Sequence, residues 1–176
     1  KTAGAAISVP AVSVPGYIVL DNTYGGTSGP GSTPVSGFIT SANAATLATS
    51  SNAITINGAL TAGAFAGATG ITVKGTSTTG IAINNASSTL TSNAGGITAV
   101  GSGTTAATVV TLNGAMTLNN SGNLSVTASD SAGGGSNGVT STGTITQNVS
   151  GGSISFVSNN IINQTGAITL AANVGS

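Results

Sequence analysis

Among its 176 residues the chain has no cysteine, histidine, tryptophan, arginine or glutamate. Each absence removes a class of chemistry. Without cysteine there is no disulfide, no thiolate nucleophile and no cysteine-based metal site. Without histidine no Ser–His–Asp triad can be assembled. The whole charge complement is Lys1 and Lys74 against Asp21 and Asp130, a formal net charge of zero. Ordinary domains are about 25% charged, whereas this chain is 2% charged. Two lysines make no basic patch, which excludes a nucleic acid held through its phosphates and argues equally against anionic lipid. Glycoside hydrolysis needs two carboxyl groups at a set separation, and Asp21 and Asp130 lie in different regions. Lys74 among serines allows a Ser–Lys pair on paper, yet a lone lysine there reads more simply as a solvated surface residue. The expectation is a protein that is not an enzyme and takes no cofactor or metal.

Other shortages bear on the fold. The residues that support exposed helix faces, Glu, Lys, Arg and Gln, are nearly missing, while Gly, Thr, Ser, Asn and β-branched residues abound. An all-β chain is therefore expected. Disorder goes with high net charge and low hydropathy; here the net charge is zero and the mean hydropathy is positive. Long apolar runs are also absent. The best candidate, residues 3–20, is interrupted by Pro10, Pro15 and Gly16, so no membrane span is expected. A surface without net charge favours self-association.

What the chain does have is a recurring phrase. A Gly or Asn is followed by apolar, small or hydroxyl, apolar: "NAITI" at 52–56, "GITV" at 70–73, "GIAI" at 80–83, "GAMTL" at 114–118, "GNLSV" at 122–126, "GSISF" at 152–156 and "GAITL" at 166–170. Period-two alternation bounded by Gly and Asn marks short strands. The series Ile54, Ile71, Ile97, Met116, Ile145 and Ile168 advances by 17, 26, 19, 29 and 23 residues. A coil of roughly 20 residues, holding two or three strands, fits these steps and stacks into a β-solenoid. About six coils would then fill residues 45–176. The inward side chains are expected to be Ile54, Ile56, Ile71, Val73, Ile81, Ile83, Leu112, Leu118, Leu124, Val126, Ile154, Phe156, Ile168 and Leu170. Gly and Asn suit the corners, and Asn can form amide ladders from coil to coil. The alternative fold is an antiparallel β-sandwich, whose turn spacing is similar but which seldom repeats itself in sequence.

The first 44 residues follow another grammar and are read as a separate, proline-bearing segment. All four prolines lie here, at 10, 15, 30 and 34, in a chain opening with "SVPAV" and "SVPGY". Proline cannot donate to a ladder, which suggests an extended arm or an edge strand. Two roles are open: a cap folded over the first repeat, or an arm that adds a strand to a neighbouring subunit. Residues 1–24 are the expected assembly contact, with Val9, Val12, Val14, Tyr17, Ile18 and Leu20 as its buried side chains.

Three smaller features complete the reading. "DSAGGGSNG" at 130–138 has the glycine density of a calcium-binding repeat but one Asp, and is read as a corner loop. "TLT" at 89–91 and "TSTGTIT" at 140–146 suggest a threonine surface of the ice-binding kind; their spacing is irregular, so structural hydroxyl ladders are preferred. Asn85, Asn119, Asn123, Asn148 and Asn163 each head an Asn-x-Ser/Thr sequon and are candidate glycosylation sites.

The phrases "GAITL", "GNLSV" and "GSISF" in their Gly/Asn/Thr/Ser/Ala-rich setting resemble the β-strand-repeat regions of large bacterial surface proteins. Filamentous-haemagglutinin-like and autotransporter adhesins are examples. The resemblance covers roughly residues 45–176 and implies a right-handed parallel β-helix and an extracellular or cell-surface location. A start at Lys1 rather than Met fits removal of a leader, and "AANVGS" brings no charged cap to the last coil. The expected function is a non-catalytic structural subunit that polymerises head to tail with copies of itself into a filament, sheath or surface layer. The alternative is an adhesin fragment binding carbohydrate or a host surface.

Overall fold

The computed structural model describes residues 7–21, 38–40, 53–63, 70–77, 80–104, 108–131 and 137–171. Three short segments of each coil fall on three parallel sheets, A, B and C. The first coil is β1 (Ile7–Val9), β2 (Val12–Val14) and β3 (Ile18–Asp21), followed by the single strand β4 (Phe38–Thr40). The second is β5 (Ile54–Ile56), β6 (Leu60–Ala62) and β7 (Gly70–Ser77); the third is β8 (Ile83–Asn85), β9 (Leu90–Ser92) and β10 (Gly96–Gly103). The fourth is β11 (Val110–Leu112), β12 (Met116–Leu118) and β13 (Leu124–Asp130). The fifth is β14 (Asn137–Ser141), β15 (Ile145–Gln147) and β16 (Ile154–Ser158), and β17 (Ile161–Gln164) and β18 (Ile168–Leu170) begin another. Among the described residues each sheet has six strands. Every pairing among the described residues is parallel, which makes the chain a β-solenoid and excludes the antiparallel sandwich.

Parallel, in-register stacking turns the repeated phrase into columns. On sheet C, Ile18, Ile71, Ile97, Leu124 and Ile154 stand one above another. Sheet B aligns Val12, Leu60, Leu90, Met116, Ile145 and Ile168, and sheet A aligns Ile54, Ile83, Val110, Val139 and Ile162. These columns meet in one core, closed to solvent through the middle coils. Each fully buried branched aliphatic contributes roughly 1.5–3 kcal/mol, and no aromatic is needed to fill so narrow a prism. One coil alone could not shield its own interior, so stability is a property of the stack.

The corner between sheets A and B explains a recurrent part of the phrase, a glycine preceded by Asn or Thr in "NGA", "TGT" or "TGA". Gly58, Gly114, Gly143 and Gly166 occupy it, and a Cβ on any of them would run into backbone of the preceding coil. For Gly143 the obstacle is Gly114, and for Gly166 it is Gly143 itself. Close backbone approach, rather than unusual dihedral freedom, fixes glycine here. Corners elsewhere use polar side chains turned inward: the Ser92 hydroxyl donates to the Ala94 carbonyl at 2.8 Å, and Gln147 Nε2 donates to the Gly122 carbonyl at 2.9 Å.

Three expectations are corrected. Among the described residues of 45–176 there are four complete coils and two strands of another, where six coils were expected. Equivalent positions on sheet A, Ile54, Ile83, Val110, Val139 and Ile162, are separated by 29, 27, 29 and 23 residues. The series Ile54, Ile71, Ile97, Met116, Ile145, Ile168 draws from all three sheets, so its steps undercount the coil. Second, the described part of the opening segment, residues 7–21, is no free arm: β1, β2 and β3 pair with β5, β6 and β7 as a coil of the stack, while residues 1–6, 22–37 and 41–44 of that segment lie outside the described residues. Pro10 and Pro15 fall between strands, where a missing N–H breaks no ladder. Third, Ile81 is 38% exposed, and Ala82 and Ile83 take the inward places.

Candidate functional site

With the interior filled by packed side chains, recognition falls to the outer faces and the ends. The outward residue of every sheet B strand carries a hydroxyl: Ser13, Thr61, Thr91, Thr117, Thr146 and Thr169 form one column. Sheet C adds Thr72, Thr98, Ser125 and Ser155 in another. The irregular spacing of "TLT" and "TSTGTIT" thus conceals a regular array. Unequal corner insertions separate the threonines in sequence, and strand register restores them to one line.

Beside sheet B runs an amide ladder. Asn119 Nδ2 donates to Asn93 Oδ1 at 2.7 Å, and Asn148 Nδ2 donates to Asn119 Oδ1 at 2.6 Å. Asn119 is the middle rung and holds both bonds. Asn119→Ala is expected to cost about 1–2 kcal/mol, two hydrogen bonds at their usual net value, and Asn93→Ala about half of that. Urea titration of the variants measures both.

The sequons separate by exposure. Asn85 points inward and is fully buried, its Oδ1 accepting from the Ser88 N–H at 2.9 Å, so it is withdrawn as a glycosylation site. Two residues after the inward Ile83, it shares that residue's face. Asn119, Asn123, Asn148 and Asn163 are exposed.

The proposed assembly residues are also placed. Val9, Ile18 and Leu20 are buried in the chain's own core, at 1% exposure or less, and so cannot serve as free contacts for a neighbour. Val12 and Val14 are partly buried and packed against that core, and Tyr17 is half-buried.

The two aspartates do not converge. Asp21 stands in register with Lys74, and three strand steps of sheet C separate Asp21 from Asp130. Asp130 is buried at the corner leaving sheet C. Its N–H donates to Asn159 Oδ1 at 2.9 Å, and Asn159 Nδ2 returns a bond to its carbonyl at 2.7 Å. Among the described residues no three His, Cys, Asp or Glu side chains gather as a metal site would require. Most of "DSAGGGSNG", at 132–136, lies outside the described residues. No helix among those residues is long and apolar enough to cross a membrane.

The strongest surface feature is the end of the stack formed by β16, β17 and β18. Ile162 is 40% exposed, Ile168 46% and Leu170 59%, while Val139 and Ile145, one coil earlier in the same columns, are at 0%. Ile154 and Phe156 on β16 are only partly buried. These are core-column positions in the last described coil. Sequence reasoning named Ile168 and Leu170 as inward residues without distinguishing this last layer. Compared with known proteins, the chain matches no family model, and no curated protein or solved structure shows significant similarity to it.

Proposed function

We propose that this chain is a non-catalytic structural subunit that associates with copies of itself, end to end, into a filament, sheath or surface layer outside the cell. The observation that supports it most is the exposed apolar layer of Ile162, Ile168 and Leu170 in the last described coil. Edges of parallel sheet are ordinarily blunted by charge, proline or a covering element, and β16, β17 and β18 carry neither charge nor proline. Zero net charge offers no long-range repulsion between copies. The extracellular placement rests on the composition and on the likeness to bacterial surface repeats. Electron microscopy of the purified chain tests the reading: regular fibres are expected, and a solution of isolated short rods at high concentration overturns it.

A second reading is supported by the hydroxyl column from Ser13 to Thr169 and the adjoining amide ladder. Regularly spaced uncharged donors and acceptors suit a carbohydrate or host surface, as in an adhesin. Isolated rods that bind a glycan array favour this alternative.

A further inference from the structure

We infer that Asn57 is a site of self-modification: the folded chain converts this asparagine to aspartate and isoaspartate, and so places a negative charge on an outward corner. The chain holds three Asn-Gly pairs, Asn57-Gly58, Asn113-Gly114 and Asn137-Gly138. In such a pair the glycine main-chain nitrogen, unhindered by a side chain of its own, attacks the asparagine Cγ. A Cγ–N bond forms to the glycine, the Cγ–Nδ2 bond breaks, and ammonia leaves carrying the proton of the glycine N–H. Water then opens the cyclic imide at either carbonyl, giving aspartate or isoaspartate. Water is the only co-reactant.

The fold separates the three pairs. "INGAL" at 56–60 and "LNGAM" at 112–116 turn the same corner between sheets A and B, from β5 to β6 and from β11 to β12. Each asparagine donates its N–H to the preceding coil at 2.8 Å, Asn57 to the Val9 carbonyl and Asn113 to the Asn85 carbonyl. The N–H groups of Gly58 and Gly114 donate to nothing among the described residues, so both nucleophiles are available. The side chains differ. Asn57 is exposed and tied through Nδ2 to Ser8 Oγ at 2.7 Å, so breaking one bond frees its Cγ to turn over Gly58. Asn113 is enclosed: its Oδ1 and Gly114 are both buried, and a Cβ on Gly143 of the next coil would stand 3.0 Å from the Asn113 carbonyl carbon. Ring closure there has to displace a neighbouring coil. Gly138 is buried within β14, its carbonyl accepting from the Val109 N–H at 3.2 Å, so an imide there would break strand pairing. Conversion of Asn57 adds one negative charge to a chain whose formal net charge is zero. That charge works against association of copies.

The near-identity of the two corner sequences supplies the control. The purified chain is held in dilute solution at mildly alkaline pH, either folded or unfolded in urea, and its peptic peptides are mapped by mass. In the folded chain Asn57 is expected to convert roughly tenfold faster than Asn113, because the buried corner must open before it reacts. In urea the two should convert at equal rates. An Asn57→Gln variant, folded by circular dichroism, should lack the early acidic species that isoelectric focusing shows for the parent. Equal rates in the folded chain, or an Asn57 that stays intact while the unfolded chain converts, overturn the inference. A preference for Asn57 that persists unchanged in urea overturns it as well, because the fold is then not its source.

Discussion

Replacing Gly143 by valine is expected to destabilise the stack by about 3–5 kcal/mol, among the larger single-residue effects available to it. The new Cβ would collide with Gly114 in the coil beneath, its carbonyl carbon 2.6 Å away, and backbone cannot swing aside as a flexible side chain can. Gly143 also contributes its N–H to the Leu112 carbonyl at 3.3 Å, so retreat of the strand would lengthen a ladder bond. Since each coil is held by its neighbours alone, the damage should be local. Residues 137–171 are expected to detach at lower denaturant than the coils before them, giving a two-step transition. Gly80→Ala is the control: a Cβ there meets nothing within 4 Å, and its effect should stay within about 0.5 kcal/mol. Urea titration followed by circular dichroism distinguishes the two.

Paired substitution of Ile168 and Leu170 by aspartate is expected to abolish polymers while leaving the chain folded. The two side chains are 46% and 59% exposed, so in the single chain they lose little on becoming polar. At a junction between copies they would be enclosed, and two unpaired carboxylates would then have to leave water, which costs several kcal/mol each. Sedimentation velocity should show monomer alone at concentrations where the unmodified chain sediments as larger species. Thr169→Asp adds the same kind of charge to the same strand, but in the outward column, and should leave assembly largely intact. If both variants polymerise as the parent does, the end face of the stack is not the contact.

Much of the architecture was legible because a parallel stack forces the same alternation onto every strand. Ile71, Val73, Leu112, Leu118, Leu124 and Val126 could be placed inward from period two alone, and all are buried. The coil count was not legible, because strands of sheets A, B and C carry the same phrase and a one-dimensional reading cannot say which sheet a copy belongs to. Proline misled in the opening residues. Its cost depends on whether its N–H would have faced a ladder, and at 10 and 15 it does not. Ile81 failed because it lies before the strand: alternation holds from Ile83 to Asn85, whereas residues 80–82 turn the corner into sheet A, and there Ala82 goes inward while Ile81 faces out. The threonine column of sheet B stayed hidden for the opposite reason, since corner lengths vary while register does not. The candidate site was legible only in part: composition pointed to self-association, but which core positions fall in the last described coil depends on strand pairing over long separations, which no local pattern carries.

Six strands to a sheet and three sheets to a coil also set how the molecule bears load. Tension applied between its two ends passes through every coil boundary in series, and at each boundary the three ladders share it. The yield point is therefore that of the weakest layer, and lengthening the rod by whole coils adds extension without adding strength.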